Sequence, residues 1–188
     1  MMSGWRTSRF TLCAGLTILT FVLRAPTFVS RIFDPDEAAI GVQAMVVRAG
    51  GTLYTDIYDR KPPLPPLLYA ASFSLTDSTD VRLMRVLVTV LLAVAAVLVA
   101  MDCLRRWGPL HAWCGGILMI TGALALFPAD AGAANYAHFA LLPGTAAIVW
   151  ARRGTLSSAI LAGVALGLAI LTRQSWLLGV VPLCVSIG

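Results

Sequence analysis

The chain has 188 residues, of which 59% are hydrophobic and 12% charged, about half the charge of a soluble domain, where roughly a quarter of residues are charged. So little polar surface cannot cover a water-facing globule, so lipid must be most of its solvent. The formal charge of +5 comes from arginines beside apolar runs, without interleaved aromatics, which argues against a nucleic-acid partner.

A helix crosses the hydrocarbon core with roughly 20 apolar residues at about 1.5 Å per residue. Six stretches qualify as crossings of an all-α, polytopic transmembrane bundle: about 10–29, 81–104, 110–127, 136–151, 156–171 and 176–188. The first follows Trp5-Arg6 and Arg9. No small-x-small cleavage site succeeds it, so it reads as an uncleaved signal anchor, with Arg24 placed near its exit to snorkel toward headgroups. In the fourth, only Pro143 interrupts the run; in the fifth, Gly163 and Gly167 suit close approach of helix backbones. The sixth is still apolar at Gly188, from which we expect the chain to be a piece of something longer. Cys13, Cys103, Cys114 and Cys184 sit in or beside apolar runs, without CxxC spacing, and read as small buried hydrophobes.

Arg6 and Arg9, Arg105-Arg106 and Arg152-Arg153 share one side if every segment crosses once, which puts the N-terminus in the cytoplasm of a plasma-membrane protein. Loop 31–80 is then extracytoplasmic. It holds Arg31, Arg48, Arg60 and Lys61, which pull the other way, but the paired arginines of the short loops agree three times.

That loop carries seven of the nine acidic residues: Asp34, Asp36, Glu37, Asp56, Asp59, Asp77 and Asp80. Asp34-Pro35-Asp36-Glu37 has the form of a capping box, with Pro at the first helical position and Glu at N3. Ile40, Ala44 and Val47 follow at helical spacing and Gly50-Gly51 supplies a stop. Residues 35–49 therefore read as an amphipathic helix on the membrane surface, and the apolar run from Pro65 to about Leu75 as a second one, too short to span. Asp34 and Glu37 need be no more than caps. Asp36 is not required by the cap. Tyr54 and Tyr58 also read as interfacial anchors.

Together, Asp36-Glu37-Ala38, then Gly51-Thr52-Leu53-Tyr54-Thr55-Asp56, then Asp59-Arg60-Lys61-Pro62-Pro63-Leu64 resemble the first extracytoplasmic loop of GT-C membrane glycosyltransferases, the bacterial relatives of protein mannosyltransferases and aminoarabinose transferases. Arg82-Leu83, Arg105-Arg106, Phe139-Ala140-Leu141-Leu142-Pro143 and Arg152-Arg153 fit the same pattern. The resemblance implies a polyprenyl-phosphate sugar as donor and Asp36 as catalytic base, with Glu37 beside it. A carboxylate within hydrogen-bond reach takes the proton of the attacking hydroxyl, and the leaving phosphate needs fixed cations. Lys61, Arg60 and Arg173 are the candidates for the latter, Arg173 reading equally as a snorkelling end residue; Tyr54, Asp56 and Asp59 are supporting residues.

The family's second acidic residue, between the third and fourth segments, has no close match; Asp130, Asn135 and His138 stand there, and His138 reads as a polar residue at a helix start. Family members are also longer. No cofactor is assigned, a divalent cation is left open, and the acceptor is undefined. The competing readings are a transporter subunit, which would place ionisable residues inside the crossings, and a non-catalytic fragment or scaffold.

Overall fold

The computed structural model describes residues 2–29, 34–125 and 131–179, with side chains from Arg9 onward. Arg31, Asp130, Cys184 and residues 180–188, which hold most of the expected sixth segment, lie outside the described residues, as does the Arg6 side chain. Within them the chain is all-helical: α1 (Met2–Arg24), α2 (Pro35–Arg48), α3 (Leu64–Thr76), α4 (Arg82–Trp107), α5 (Pro109–Ala125), α6 (Tyr136–Ala151) and α7 (Leu156–Thr172), with 3₁₀ turns at Ala25–Phe28 and Gln174–Gly179. Two stretches, Arg9–Phe28 and Arg82–Trp107, are long and apolar enough to cross a membrane, with mean hydropathy 1.5 and 2.7.

The helix ends follow local chemistry. At α2, the Asp34 carboxylate accepts from the Asp36 N–H at 3.0 Å and Pro35 takes the first position, where no N–H is needed. Gly50, at φ +90°, follows the last turn, a conformation that a side chain would strain. The capping box expected there forms only by half: the Glu37 carboxylate turns inward, to Arg85 of α4. A complete capping box stands instead at α7, where Thr155 and Ser158 each accept from the other's N–H at 3.2 Å. At α4, the charge-free run from Val86 to Met101 leaves nothing to interrupt the helix, and Arg105 and Arg106 sit where the dipole favours cations.

The five longer helices run alternately up and down, with α4 central against α1, α5 and α6, and α7 against α6. Leu12, Leu16, Ala96, Ala100, Ala112 and Ile120 join α1, α4 and α5. Ala146, Ala147, Ala151, Ala162, Ala165 and Leu166 join α6 to α7. Ile40, Ala44, Tyr69, Phe73, Val88 and Phe139 dock α2 and α3 onto α4 and the start of α6.

Two sequence expectations change here. A Cβ added at Gly163 or Gly167 would meet no described atom within 4 Å, so alanines rather than these two glycines make the α6–α7 seam; one added at Gly144 of α6 would lie 2.2 Å from the Trp176 ring. Arg24 does not snorkel. It is buried, and its guanidinium donates to Thr89 Oγ1 (2.9 Å) and to the carbonyls of Ala131 (2.5 Å), Gly132 (3.4 Å) and Ala133 (3.2 Å). A guanidinium has five donors in a fixed fork, and three backbone carbonyls in one turn offer it more than a headgroup would.

Candidate functional site

One cavity of about 640 Å³ opens at the end of the molecule where α1 ends, α4 begins, α6 begins and α7 ends. Asp36, Arg60, Lys61, Tyr136, His138 and Arg173 all line it. They come from four chain segments, so the tertiary fold is what assembles them.

The loop from Gly51 to Pro63 is shaped to deliver Lys61. Gly51 passes so close to α2 that an added Cβ would lie 2.6 Å from the Val46 side chain and 3.0 Å from its carbonyl oxygen. Asp56 closes the next turn by accepting from the Thr52 N–H at 2.7 Å. Tyr54, at φ +72°, donates its hydroxyl to the Lys61 carbonyl at 2.8 Å; burial, with help from Asp59, raises its phenol pKa and keeps it a donor. Asp59 ties the loop to two helices, accepting from Gln43 Nε2 (2.6 Å) on α2 and the Tyr136 hydroxyl (3.5 Å) on α6, as well as from the Lys61 N–H (3.2 Å). The Lys61 ammonium then lies 4.9 Å from the centre of the Tyr136 ring and 2.5 Å from Asp36 Oδ1. The expected supporting residues Tyr54, Asp56 and Asp59 therefore hold the loop's shape.

Asp36 and Glu37 are neighbours in sequence with opposite surroundings. The side chains of the Asp36–Lys61 pair are 49% and 31% exposed, while those of Glu37 and Arg85 are 0% and 1% exposed. Arg85 grips Glu37 with two parallel bonds, Nε to Oε1 at 2.9 Å and Nη2 to Oε2 at 2.5 Å, and gives Nη1 to the Thr27 carbonyl at 2.6 Å. Glu37 Oε1 also accepts from the Ala134 N–H at 2.9 Å. Arg60 and Arg173 are exposed on the cavity wall, and neither makes an ion pair with a described residue.

Sequence reasoning missed the layer behind the cavity. Arg24, Glu37 and Tyr69 hold residues 131–134 from several sides, Tyr69 donating to the Ala134 carbonyl at 2.7 Å, and Arg85 holds Glu37 in place. Burial, reinforced by the Glu37 charge, raises the Tyr69 pKa far above its usual range, so it remains a donor. Thr27 adds a bond to the Gly132 carbonyl. This clamp sets the position of Asn135, which caps α6 through Ala137 N–H (3.1 Å) and His138 N–H (3.3 Å), and so aims the first turn of α6 at the cavity. The signal was present: Arg24 and Arg85 are ionisable residues within apolar runs, which mark function by default.

Among the described residues, no group of three His, Cys, Asp or Glu side chains converges on a cation-sized site. Comparison with protein-family models, with curated proteins and with solved structures finds no match to this chain.

Proposed function

We propose that this chain is part of a multi-span membrane glycosyltransferase that uses a polyprenyl-phosphate-linked sugar. The observation that carries the reading is the convergence of one half-exposed carboxylate and three cations on a single cavity: Asp36 with Lys61, Arg60 and Arg173. In the reaction, the donor phosphate sits against the cations, which balance the charge it gathers as its bond to the anomeric carbon breaks. Asp36 takes the proton of the acceptor hydroxyl as that oxygen attacks. Glu37 is a positioning residue in this scheme, because Arg85 and the Ala134 N–H occupy both its oxygens.

The Asp36–Lys61 contact is the resting state of the site. A pair this exposed is worth about 0–1 kcal/mol, so an arriving phosphate draws Lys61 away cheaply and frees Asp36 as an acceptor. Energetically, the same pair could not be buried and still be exchanged.

The membrane arrangement belongs to the proposal. Helices α1, α4, α5, α6 and α7 cross, while α2 and α3 lie at the outer surface beneath the cavity mouth. Leu118 of α5 and Ile160 and Val164 of α7 are exposed, apolar and turned away from neighbouring helices, as lipid-facing residues would be. Arg106 and Arg152 both pair with Asp102 at the opposite end from the cavity, which supports a cytoplasmic side there and an extracytoplasmic cavity.

Transfer from polyprenyl-phosphate sugars by the full-length protein tests the reading. Asp36→Asn should lower turnover by about 10²–10⁴-fold, the range for loss of a general base. Undiminished turnover removes Asp36 from the mechanism.

A further inference from the structure

One wall of the cavity carries a polar group that the scheme above leaves unused. His138, in the first turn of α6, is 4% exposed and lines the cavity. Its protonation pattern is fixed by its neighbour. Asn135 Oδ1 accepts from the N–H groups of Ala137 and His138, and Asn135 Nδ2 donates to Asp34 Oδ2 at 3.4 Å, so the amide has one orientation. His138 Nδ1 lies 2.9 Å from that same Oδ1. An amide oxygen only accepts, so Nδ1 bears the imidazole hydrogen and Nε2 presents a lone pair. Among the described residues, Nε2 has no hydrogen-bond partner. Burying an acceptor without a donor is costly, and a binding site recovers that cost when its ligand brings the donor.

The surroundings select the ligand chemistry. Arg60, Lys61 and Arg173 make the cavity cationic, and no acidic or thiolate cluster completes a metal site among the described residues. A phosphate oxygen only accepts and is matched by the cations, not by a lone pair. What suits Nε2 is a neutral O–H. The cavity, at about 640 Å³, falls within the roughly 300–1,000 Å³ of small-molecule sites, with space for a headgroup larger than phosphate.

We propose that His138 Nε2 recognises the sugar of the lipid-linked donor by accepting a hydrogen bond from one of its hydroxyls, while the cations hold the phosphate. This rests on the donor reading given above and extends it to a specificity-determining residue. The imidazole acts in binding; the proton of the reaction goes to Asp36.

The test compares two ligands on the full-length protein in detergent. The probes are undecaprenyl phosphate and a panel of undecaprenyl phosphates bearing single hexoses or pentoses. The wild type should hold at least one glycosyl lipid about tenfold tighter than the bare lipid phosphate, the worth of one good hydrogen bond. His138→Leu should erase that gain to within about twofold while binding undecaprenyl phosphate as the wild type does, and His138→Gln, which keeps an acceptor, should restore part of it. If His138→Leu does not fold, monodeoxy sugars on the wild-type protein read the same contact, and one of them should lose the gain. A gain that survives in His138→Leu, an equal loss for both lipids, or wild-type protein that gains nothing from any sugar overturns the assignment. Wild-type protein that binds neither lipid overturns the donor reading as well, and only that outcome does.

Discussion

The two ends of the molecule use the same chemistry, a buried carboxylate against an arginine, and differ in whether the arginine reaches solvent. At the cavity end Glu37 and Arg85 are sealed from solvent and joined by two bonds; at the far end Asp102 is 11% exposed and shares Arg106 and Arg152, the latter 44% exposed. Removing one partner of a buried pair strands a charge in a poor solvent, whereas an exposed charge is rehydrated. The cavity end is thus rigid where Glu37 sits and yielding where Asp36 sits, one residue away. A site that must hold its walls still while exchanging one ion pair for a ligand needs both properties.

The sharpest way to break that comparison is Glu37→Ala. It should cost about 3–5 kcal/mol of stability, because Arg85 is left buried without its counter-charge, as measured by denaturation in detergent micelles. The double variant Glu37→Leu with Arg85→Met should recover much of that loss. If Glu37→Ala is neutral, the pair is not buried in the working protein.

Next in size is Gly144→Ala, which should destabilise by about 1–3 kcal/mol, since a Cβ there would lie 2.2 Å from the Trp176 ring. Gly163→Ala and Gly167→Ala in α7 meet open space, so each should be neutral or gain up to about 1 kcal/mol from helix propensity. Equal losses at all three would move the α6–α7 seam to the face carrying Gly163 and Gly167.

The smallest effects on stability belong to the exposed pairs. Asp36→Asn and Asp77→Asn, the latter breaking the pair of exposed Asp77 with Arg48, should each shift it by no more than about 1 kcal/mol, and the two variants should part company in function: only Asp36→Asn should lower sugar transfer, by about 10²–10⁴-fold. A large stability loss in Asp36→Asn would make the Asp36–Lys61 contact structural.

Much of the local structure was legible from the chain. Tyr136–Ala151 is helical over the residues expected, and Pro35–Arg48 and Leu64–Thr76 lie within two residues of their expected bounds, because Pro, Gly and capping side chains act on their own neighbours. What each side chain faces was less legible. Adjacent helical positions differ by about 100° in direction, so Asp36 and Glu37 had to diverge, but which of them turns inward depends on Arg85, 48 residues along the chain.

By itself, then, the sequence determined the helices, the apolar character of the chain and the polar loop that supplies Asp36 and Lys61. Only the tertiary structure decided that Glu37 and Arg24 are structural charges, that Gly144 is crowded while Gly163 and Gly167 are not, and that His138, beside the cavity, buries an Nε2 without a partner among the described residues. The reason is physical. Runs of apolar residues and caps are short-range signals, whereas the fate of a buried charge is set by partners that chain folding brings from far away.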